Sequence, residues 1–335
     1  MTDGTTASDL RRLPKTNLHL HLTGSMRPAT LAELAERGGV SVPPALTFTD
    51  EDRVHPWSTF QERYEAARAA ITSADDIRRV AAEAFEDNLV DGCEWVELQV
   101  DPTSYAQCVG GLEAAVEAVL DAIPADRGGL IVASSWARPG EHAERLAKLA
   151  ARYADSGVVG FGVSNDERAG VVSEFAAAFR IATDADLLAT PHAGCYEEAW
   201  HVRACVETLN AHRIGHGLTA AADPSTVALL AEREVAMEIC PTSYPPLGIV
   251  RWTDLPIRAL LAAGVPVALG SDDPLLFGGT VTDQYRIVRQ HLGLADSELA
   301  ALAHYSVSAS AAPPAVKARI GAGIDGWLAG AAAPA

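Results

Sequence analysis

The sequence lacks the features of a membrane-bound or secreted protein. Its 335 residues contain no apolar run that approaches the roughly 20 residues needed to span a bilayer. The first twelve residues are polar and lack the apolar segment of a secretory signal. We therefore expect a soluble protein without a membrane partner, and the cytoplasm is its expected location.

Cysteine and positive charge are also scarce. The five cysteines are odd in number, scattered and without CxxC spacing, which predicts reduced thiols rather than disulfides. Acidic residues number 44 against 26 lysines and arginines, so the net charge of −18 would repel the phosphates of nucleic acids. No nucleic-acid partner is expected, whereas a small, neutral, base-like substrate is compatible with this charge.

The chain does contain a regular alternation of short β-rich segments with longer amphipathic, alanine-rich stretches. Eight segments are predicted as strands: Asn17–Leu22, Trp95–Val100, Leu130–Ser134, Val158–Val163, Leu188–His192, Arg213–Gly217, Ala236–Cys240 and Val265–Gly270. Eight strands separated by helices predict an α/β fold, a (β/α)₈ TIM-type barrel, with a doubly wound open sheet as the competing architecture.

The domain organisation follows from the absence of an internal repeat or linker. Residues 1–335 are interpreted as one domain, with residues 1–12 and about 325–335 as flexible tails. The segment Ala29–Ser73 is too long for a simple connection, so we expect it to form extra helices and loops over the catalytic face after the first strand. A final helix is expected around Ala315–Ile320.

Two histidines stand two residues apart in the first predicted strand, within the segment NLHLHLTG. Because alternate residues of a strand point to the same face, His19 and His21 are expected side by side. Further candidates lie at the ends of the fifth, sixth and eighth predicted strands, namely His192, His216, Asp272 and Asp273. The carboxyl ends of all barrel strands open onto one face, so these residues are expected to converge there.

Such a cluster has the chemistry of a metal site. Three imidazoles and one carboxylate suit Zn²⁺ better than Mg²⁺ or Ca²⁺, which prefer oxygen ligands. A site of this kind can bind water and lower its pKa toward neutrality, which produces a hydrolytic nucleophile. His216 is then interpreted as a base or electrostatic partner of the water, and Asp273 as a substrate contact. For the segment SDDP, an ordinary turn is the alternative.

Four motifs in the same order give the chain a resemblance to the adenosine deaminase family of the amidohydrolase superfamily, over about residues 14–310. They are PKTNLHLHLTGSMRPATL, TPHAG, RIGHG and ALGSDDPLLFG. The implied ligands of one Zn²⁺ ion are His19, His21, His192 and Asp272. The resemblance also implies that His216 orients or deprotonates the hydrolytic water and that Asp273 hydrogen-bonds a purine ring. The implied reaction removes the exocyclic amine of a small purine nucleoside.

One position departs from the family pattern. After the third metal histidine the family reads HAGE or HGGE, and that glutamate protonates the purine ring, whereas this chain reads HAGC with Cys195 in its place. A thiol is a weak hydrogen-bond donor with an unperturbed pKa near 8.5. Glu197 and Glu198 are predicted in the first turn of a helix, and Glu198 as a substitute acid is the weaker hypothesis. A thiol that only fills space is the alternative for Cys195.

Other pocket positions also differ from the animal enzymes. Thr23 stands where they carry an aspartate that contacts the ribose, and Asn165 stands where they have a glycine against the ring. Both are predicted substrate contacts, in a pattern that looks like a bacterial subgroup. Tyr244 and Pro245 replace a CPxSN-like segment, which either reshapes the pocket wall or is plain loop variation.

Three functional hypotheses follow from the sequence. The first is a zinc-dependent deaminase of an adenosine-like nucleoside or related aminated heterocycle. The second is a divergent member with impaired deamination that binds nucleoside and metal. The third is a metal-dependent hydrolase of a different C–N or ester bond. The oligomeric state is left open.

Overall fold

The computed structural model describes residues 9–43, 46–48 and 53–332. Within them, parallel strands form one sheet of eight in sequence order. The strands are β1 (Lys15–His21), β2 (Cys93–Val100), β3 (Gly128–Ser135), β4 (Val158–Ser164), β5 (Leu188–Ala193), β6 (Arg213–His216), β7 (Ala236–Ile239) and β8 (Val267–Leu269). Every predicted strand is present, and its ends differ from the prediction by at most two residues.

The sheet closes into a barrel at the residue that follows β8. Asp272 forms a parallel bridge with Leu20 of β1. Its N–H donates to the carbonyl of His19 at 2.9 Å, and its carbonyl accepts from the N–H of His21 at 3.2 Å. The (β/α)₈ barrel is therefore confirmed, and the open doubly wound sheet is excluded.

Helices cover the outside of the barrel. They are α1 (Pro28–Gly38), α2 (Trp57–Arg68), α3 (Ala74–Val90), α4 (Ala106–Val109), α5 (Leu112–Leu120), α6 (Gly140–Arg152), α7 (Ala176–Thr183), α8 (Ala199–Thr208), α9 (Pro224–Glu232), α10 (Ile257–Ala262), α11 (Pro274–Phe277), α12 (Val281–Leu292), α13 (Asp296–Ala309) and α14 (Pro314–Ala332). Because helices shield one face of the sheet and packed side chains fill the other, strands such as β3 are buried along their whole length.

The sequence between β1 and β2 contains the expected extra helices. Both α1 and α2 fall within the segment Ala29–Ser73 or begin one residue before it. The next helix, α3, starts where the sequence offers a cap, since the hydroxyl of Ser73 accepts a hydrogen bond from the N–H of Asp76 at 3.2 Å. The prediction of additional helices after the first strand is confirmed.

Helical structure extends into both segments that were expected to be flexible tails. Helix α14 continues to Ala332, so its expected end near Ile320 is wrong and residues 325–332 of the expected tail are helical. Val316, Ile320 and Ile324 are all buried, and this spacing extends an apolar stripe along the helix. At the other end, Leu10–Arg12 form a short 3₁₀ helix in which Leu10 is buried.

No helix in the described part of the chain has both the length and the apolar character needed to cross a membrane. The five cysteines are free, as the sequence predicts.

Candidate metal centre and active site

The structure brings the predicted histidines and Asp272 together at the carboxyl end of the barrel. His19 and His21 come from β1, His192 from β5 and His216 from the end of β6. The imidazole centroid of His19 lies 4.5 Å from that of His192, 4.7 Å from that of His216 and 5.2 Å from that of His21. Side chains as distant in the sequence as His19 and Asp272 thus form one cluster.

The backbone at this cluster is held in a conformation that side-chain-bearing residues rarely adopt. The φ angles of His216 and Asp272 are +69° and +58°. A residue in this region costs about 1–3 kcal/mol and persists only where its surroundings fix it. Asp272 is fixed by its bridge to β1, which points to a functional reason for its geometry.

Three distances between the donor atoms of the predicted ligands match the spacing expected around a metal ion. Nε2 of His192 lies 3.3 Å from Nε2 of His21, and Oδ1 of Asp272 lies 3.4 Å from Nε2 of His21 and 3.5 Å from Nε2 of His19. Ligands at about 2.0–2.1 Å from zinc in a tetrahedron are about 3.3–3.4 Å apart. Nε2 of His19 is buried without a hydrogen-bond partner among the described residues. These residues therefore fit a metal ion.

The ligands are oriented by further buried groups. Nδ1 of His19 lies 2.8 Å from Oε2 of Glu238, which leaves Nε2 of His19 free to face a metal. Ser243 donates its hydroxyl to Oδ2 of Asp272 at 2.5 Å, which leaves Oδ1 for the same purpose. Arg213 donates to both Glu238 and Glu97, each at 2.5 Å, so the negative charge behind His19 is balanced.

A second set of side chains that could bind a metal shares His19 and Asp272 with the predicted ligand set. Ligand atoms of His19, His216, Cys240 and Asp272 all lie within 4.8 Å of one another. Cys240 is buried, and its thiol lies beside the cluster.

His216 has the electrostatic character of a base. Burial, then the positive charge of His19, lower the pKa of His216 to about 4, so its imidazole is neutral at pH 7. Its Nδ1 lies 3.3 Å from the hydroxyl oxygen of Tyr244, which also accepts from the N–H of Cys240 at 2.8 Å. In the tautomer whose Nδ1–H donates to Tyr244, Nε2 is free to accept a proton.

Asp273 lies beside the cluster and faces the cavity. It is buried, and its Oδ1 has no hydrogen-bond partner among the described side chains and backbone. Burial and the negative charge of Asp272 raise the pKa of the Asp273 carboxyl well above its ordinary value. A methyl group added at Gly24 would stand only 1.8 Å from Oδ1 of Asp273. The glycine of the HLTG motif is therefore required by the close approach of this carboxyl.

Substitution of Gly24 by alanine is expected to displace Asp273 and to lower kcat/KM by about 10- to 100-fold, because misplacement by about 1 Å can have that effect. Metal content should remain that of the parent protein, since no ligand is touched. Steady-state kinetics and metal analysis check this. Gly38→Ala is the matched control, because the nearest atom to its added methyl group is 3.4 Å away in the side chain of Val40. Equal kinetics for the two variants would contradict the assignment.

A cavity of about 130 Å³ is lined by three of the predicted ligands, His21, His192 and Asp272. One face of α2 forms a wall, with side chains at helical spacing: Trp57, Phe60, Gln61, Tyr64 and Arg68. The rest of the lining includes Asn165, Cys195, Tyr196 and Tyr244. The long segment after the first strand thus supplies a wall of the pocket.

The structure places the two predicted substrate contacts Asn165 and Thr23 differently with respect to the cavity. Asn165 lines the cavity and has φ of +77°, a conformation that glycine adopts readily and other residues rarely adopt. Thr23 is buried, and its hydroxyl lies 2.6 Å from that of Tyr105, which lines the cavity. A direct substrate contact by Thr23 stays a prediction.

Cys195 lines the cavity and is half-buried, and Glu198 does not take its place. Burial, then the negative charges of Glu167 and Asp272, raise the pKa of the Cys195 thiol well above its ordinary value. Glu198 is exposed and is the N-cap residue of α8, and Glu197 lies before it, so neither is in the first turn as predicted. The carboxylate found beside Cys195 is Glu167.

Several of these supporting residues were missed by sequence reasoning. Arg213 belongs to the RIGHG motif, Glu238 lies two residues before the segment CPTS, Ser243 ends that segment, and Glu167 ends the segment VSNDE. Arg213 and Glu238 could have been found from the sequence, because both are charged residues inside predicted barrel strands. A buried charge needs a partner, so such residues are candidates for a buried ion pair.

The barrel and its three-histidine, one-carboxylate donor set define the class of protein, a metal-dependent hydrolase of the amidohydrolase type. The chain belongs to the adenosine deaminase family, because the family model described as adenosine deaminase matches residues 14–327. It is therefore a hydrolytic deaminase of the adenosine/adenine type that acts on C–N bonds. The resemblance carried by the four motifs is confirmed.

Similar proteins support this membership. A Streptomyces virginiae protein named as an adenosine/adenine deaminase is 49% identical, over 97% of this chain and 99% of its own. An aminodeoxyfutalosine deaminase of Streptomyces coelicolor is 34% identical, over 95% of this chain and 86% of its own. The adenine deaminase structure from Arthrobacter aurescens has a TM-score of 0.85 and 26% identity, and covers 94% of this chain and 99% of its own.

Proposed function

We propose that this protein is a zinc-dependent hydrolytic deaminase of an adenosine-like purine nucleoside or a related aminated heterocycle. The observation that carries the proposal is the close approach of donor atoms from His19, His21, His192 and Asp272 beside a cavity. Three of the distances between these atoms are 3.3–3.5 Å. His216 and Asp273 lie beside these donors, which is the arrangement needed for hydrolysis of a bound ring.

The donor set favours one Zn²⁺ ion, since imidazole nitrogens and a single carboxylate oxygen are its usual ligands. When bound, zinc would lower the pKa of the attacking water. Neutral His216 accepts the proton of that water through Nε2. Asp273, whose carboxyl has a pKa raised by burial and by the charge of Asp272, is placed to hydrogen-bond a ring nitrogen of the substrate.

Cys195 occupies the position from which a second ring nitrogen would receive a hydrogen bond. Because the pKa of its thiol is raised, Cys195 stays protonated at neutral pH and can donate that bond weakly. Asn165 lies in the neighbouring wall. The purine class is supported by relatives named for adenosine/adenine and adenine, and by a structural neighbour from Arabidopsis, 25% identical with a TM-score of 0.84, solved with IMP.

A second candidate function rests on the same cysteine. General acid catalysis contributes about 10²–10⁴ in rate, and a thiol with a raised pKa transfers its proton poorly. The alternative is a protein that retains metal and nucleoside binding with little turnover.

Ammonia release decides between the two functions. Zinc-loaded protein is expected to release ammonia from at least one member of a panel of adenine, adenosine and other aminated purines and nucleosides. Removal of metal by a chelator should abolish release, and added Zn²⁺ should restore it. Tight binding of a nucleoside without ammonia from any compound would instead support the binding protein.

A further inference from the structure

One buried carboxylate holds the turn that carries Cys195. Oε1 of Glu167 accepts hydrogen bonds from three successive backbone N–H groups, those of Cys195 at 2.9 Å, of Tyr196, and of Glu197 at 2.6 Å. Glu167 is only 4% exposed, and its other oxygen lies 3.5 Å from Nδ1 of the buried His201. Backbone groups just after the third metal histidine are thus tied to a side chain from another part of the barrel.

The same carboxylate joins two walls of the cavity. Glu167 follows β4 by three residues and Cys195 follows β5 by two. Asn165, two residues before Glu167, and Cys195 both line the cavity. Helix α8 begins only at Ala199, and its N-cap residue makes no side-chain cap hydrogen bond, so the helix does not fix the turn at Cys195. The hydrogen bonds to Glu167 hold this turn instead.

We propose that Glu167 is a positioning residue that holds the Cys195 turn against the Asn165 wall and so sets the place of the Cys195 thiol at the substrate. The inference rests on the proposed deaminase function for its kinetic consequence only. The hydrogen-bond link itself does not depend on turnover.

The charge state of Glu167 agrees with this role. Burial alone would raise the pKa of its carboxyl, but the contact with His201 and the hydrogen bonds from the N–H groups of Glu197 and Tyr196 outweigh burial and lower it. Glu167 is therefore an ionised acceptor rather than a proton donor. It acts on the substrate through the turn that it holds.

Hydrogen exchange of the backbone amides of residues 195–197 tests the link without any substrate. In zinc-loaded protein, Glu167→Asp keeps the charge but shortens the reach, and exchange should become at least about tenfold faster. Glu167→Gln keeps the reach and an acceptor oxygen, so exchange should stay closer to the parent than to Glu167→Asp. Glu174→Ala is the control, since Glu174 is exposed in the same region. Unchanged exchange in Glu167→Asp would overturn the proposal.

A double-mutant cycle tests the action through Cys195. Glu167→Asp should lower kcat/KM for the best aminated purine by about tenfold or more, and Glu167→Gln should recover most of this loss. In a Cys195→Ala background the same change should cost less than about twofold, because the group being positioned is absent. An equal loss in both backgrounds would overturn the role. If no compound is turned over, the proposed function fails, while the exchange result still decides whether Glu167 holds the turn.

Discussion

Replacement of His216 by alanine is expected to lower kcat/KM for deamination by about 10²–10⁴-fold while leaving the metal content unchanged. The imidazole of His216 is neutral at pH 7 and stands 4.7 Å, centroid to centroid, from that of the ligand His19. It is thus placed to take the proton of the attacking water. Removing it leaves His19, His21, His192 and Asp272 in place.

Kinetics on the zinc-loaded variant, together with metal analysis, measure this effect. His291→Ala is a suitable control, because His291 is an exposed histidine on α12 and should change neither quantity. Loss of the metal from the His216 variant would assign His216 to the ligand set that includes Cys240. Unchanged activity with full metal content would exclude it as the base.

Substitution of Cys195 by glutamate is expected to raise kcat/KM for adenine or adenosine by about 10²-fold or more, because a carboxylic acid then replaces a weak donor. The new carboxyl would lie near Glu167 and Asp272, whose negative charges already raise the pKa of the Cys195 thiol. The same charges would keep a glutamic acid protonated closer to neutral pH, where it can donate a proton to the ring.

Cys195→Gln provides the matched comparison, since glutamine has the same shape and can donate a hydrogen bond but not a proton. We expect Cys195→Glu to exceed Cys195→Gln by at least about tenfold in kcat/KM, measured by ammonia release. Equal rates for the two variants would show that the ring proton comes from another group. Saturation kinetics on both variants would show whether the change lies in kcat.

The barrel and the donor set could be predicted because both are encoded locally. Each strand has a short β-rich pattern, and parallel strands of one barrel must end on the same face. Histidines at the ends of the first, fifth and sixth strands therefore had to meet, and Asp272 meets them where the barrel closes onto Leu20. No knowledge of side-chain packing was needed for this step.

Features that depend on packing could not be predicted in the same way. Thr23 lies in the opening motif, but its hydroxyl is engaged by Tyr105, which is 82 residues away in sequence. Glu167 reaches three N–H groups that lie 28 to 30 residues away. Neither contact has a periodic signal, since each depends on how neighbouring loops pack. The end of α14 was missed because Ile324 finds a buried site beyond the expected helix.

The central claim is that a water oxygen replaces an exocyclic amine on a heterocycle bound at this metal centre. Mass spectrometry of the product formed in ¹⁸O-labelled water by zinc-loaded protein tests it most directly. The account predicts one labelled oxygen in the ring product for each ammonia released, and loss of both signals in Asp272→Ala. A product without the label, or one formed equally well by Asp272→Ala, would contradict it.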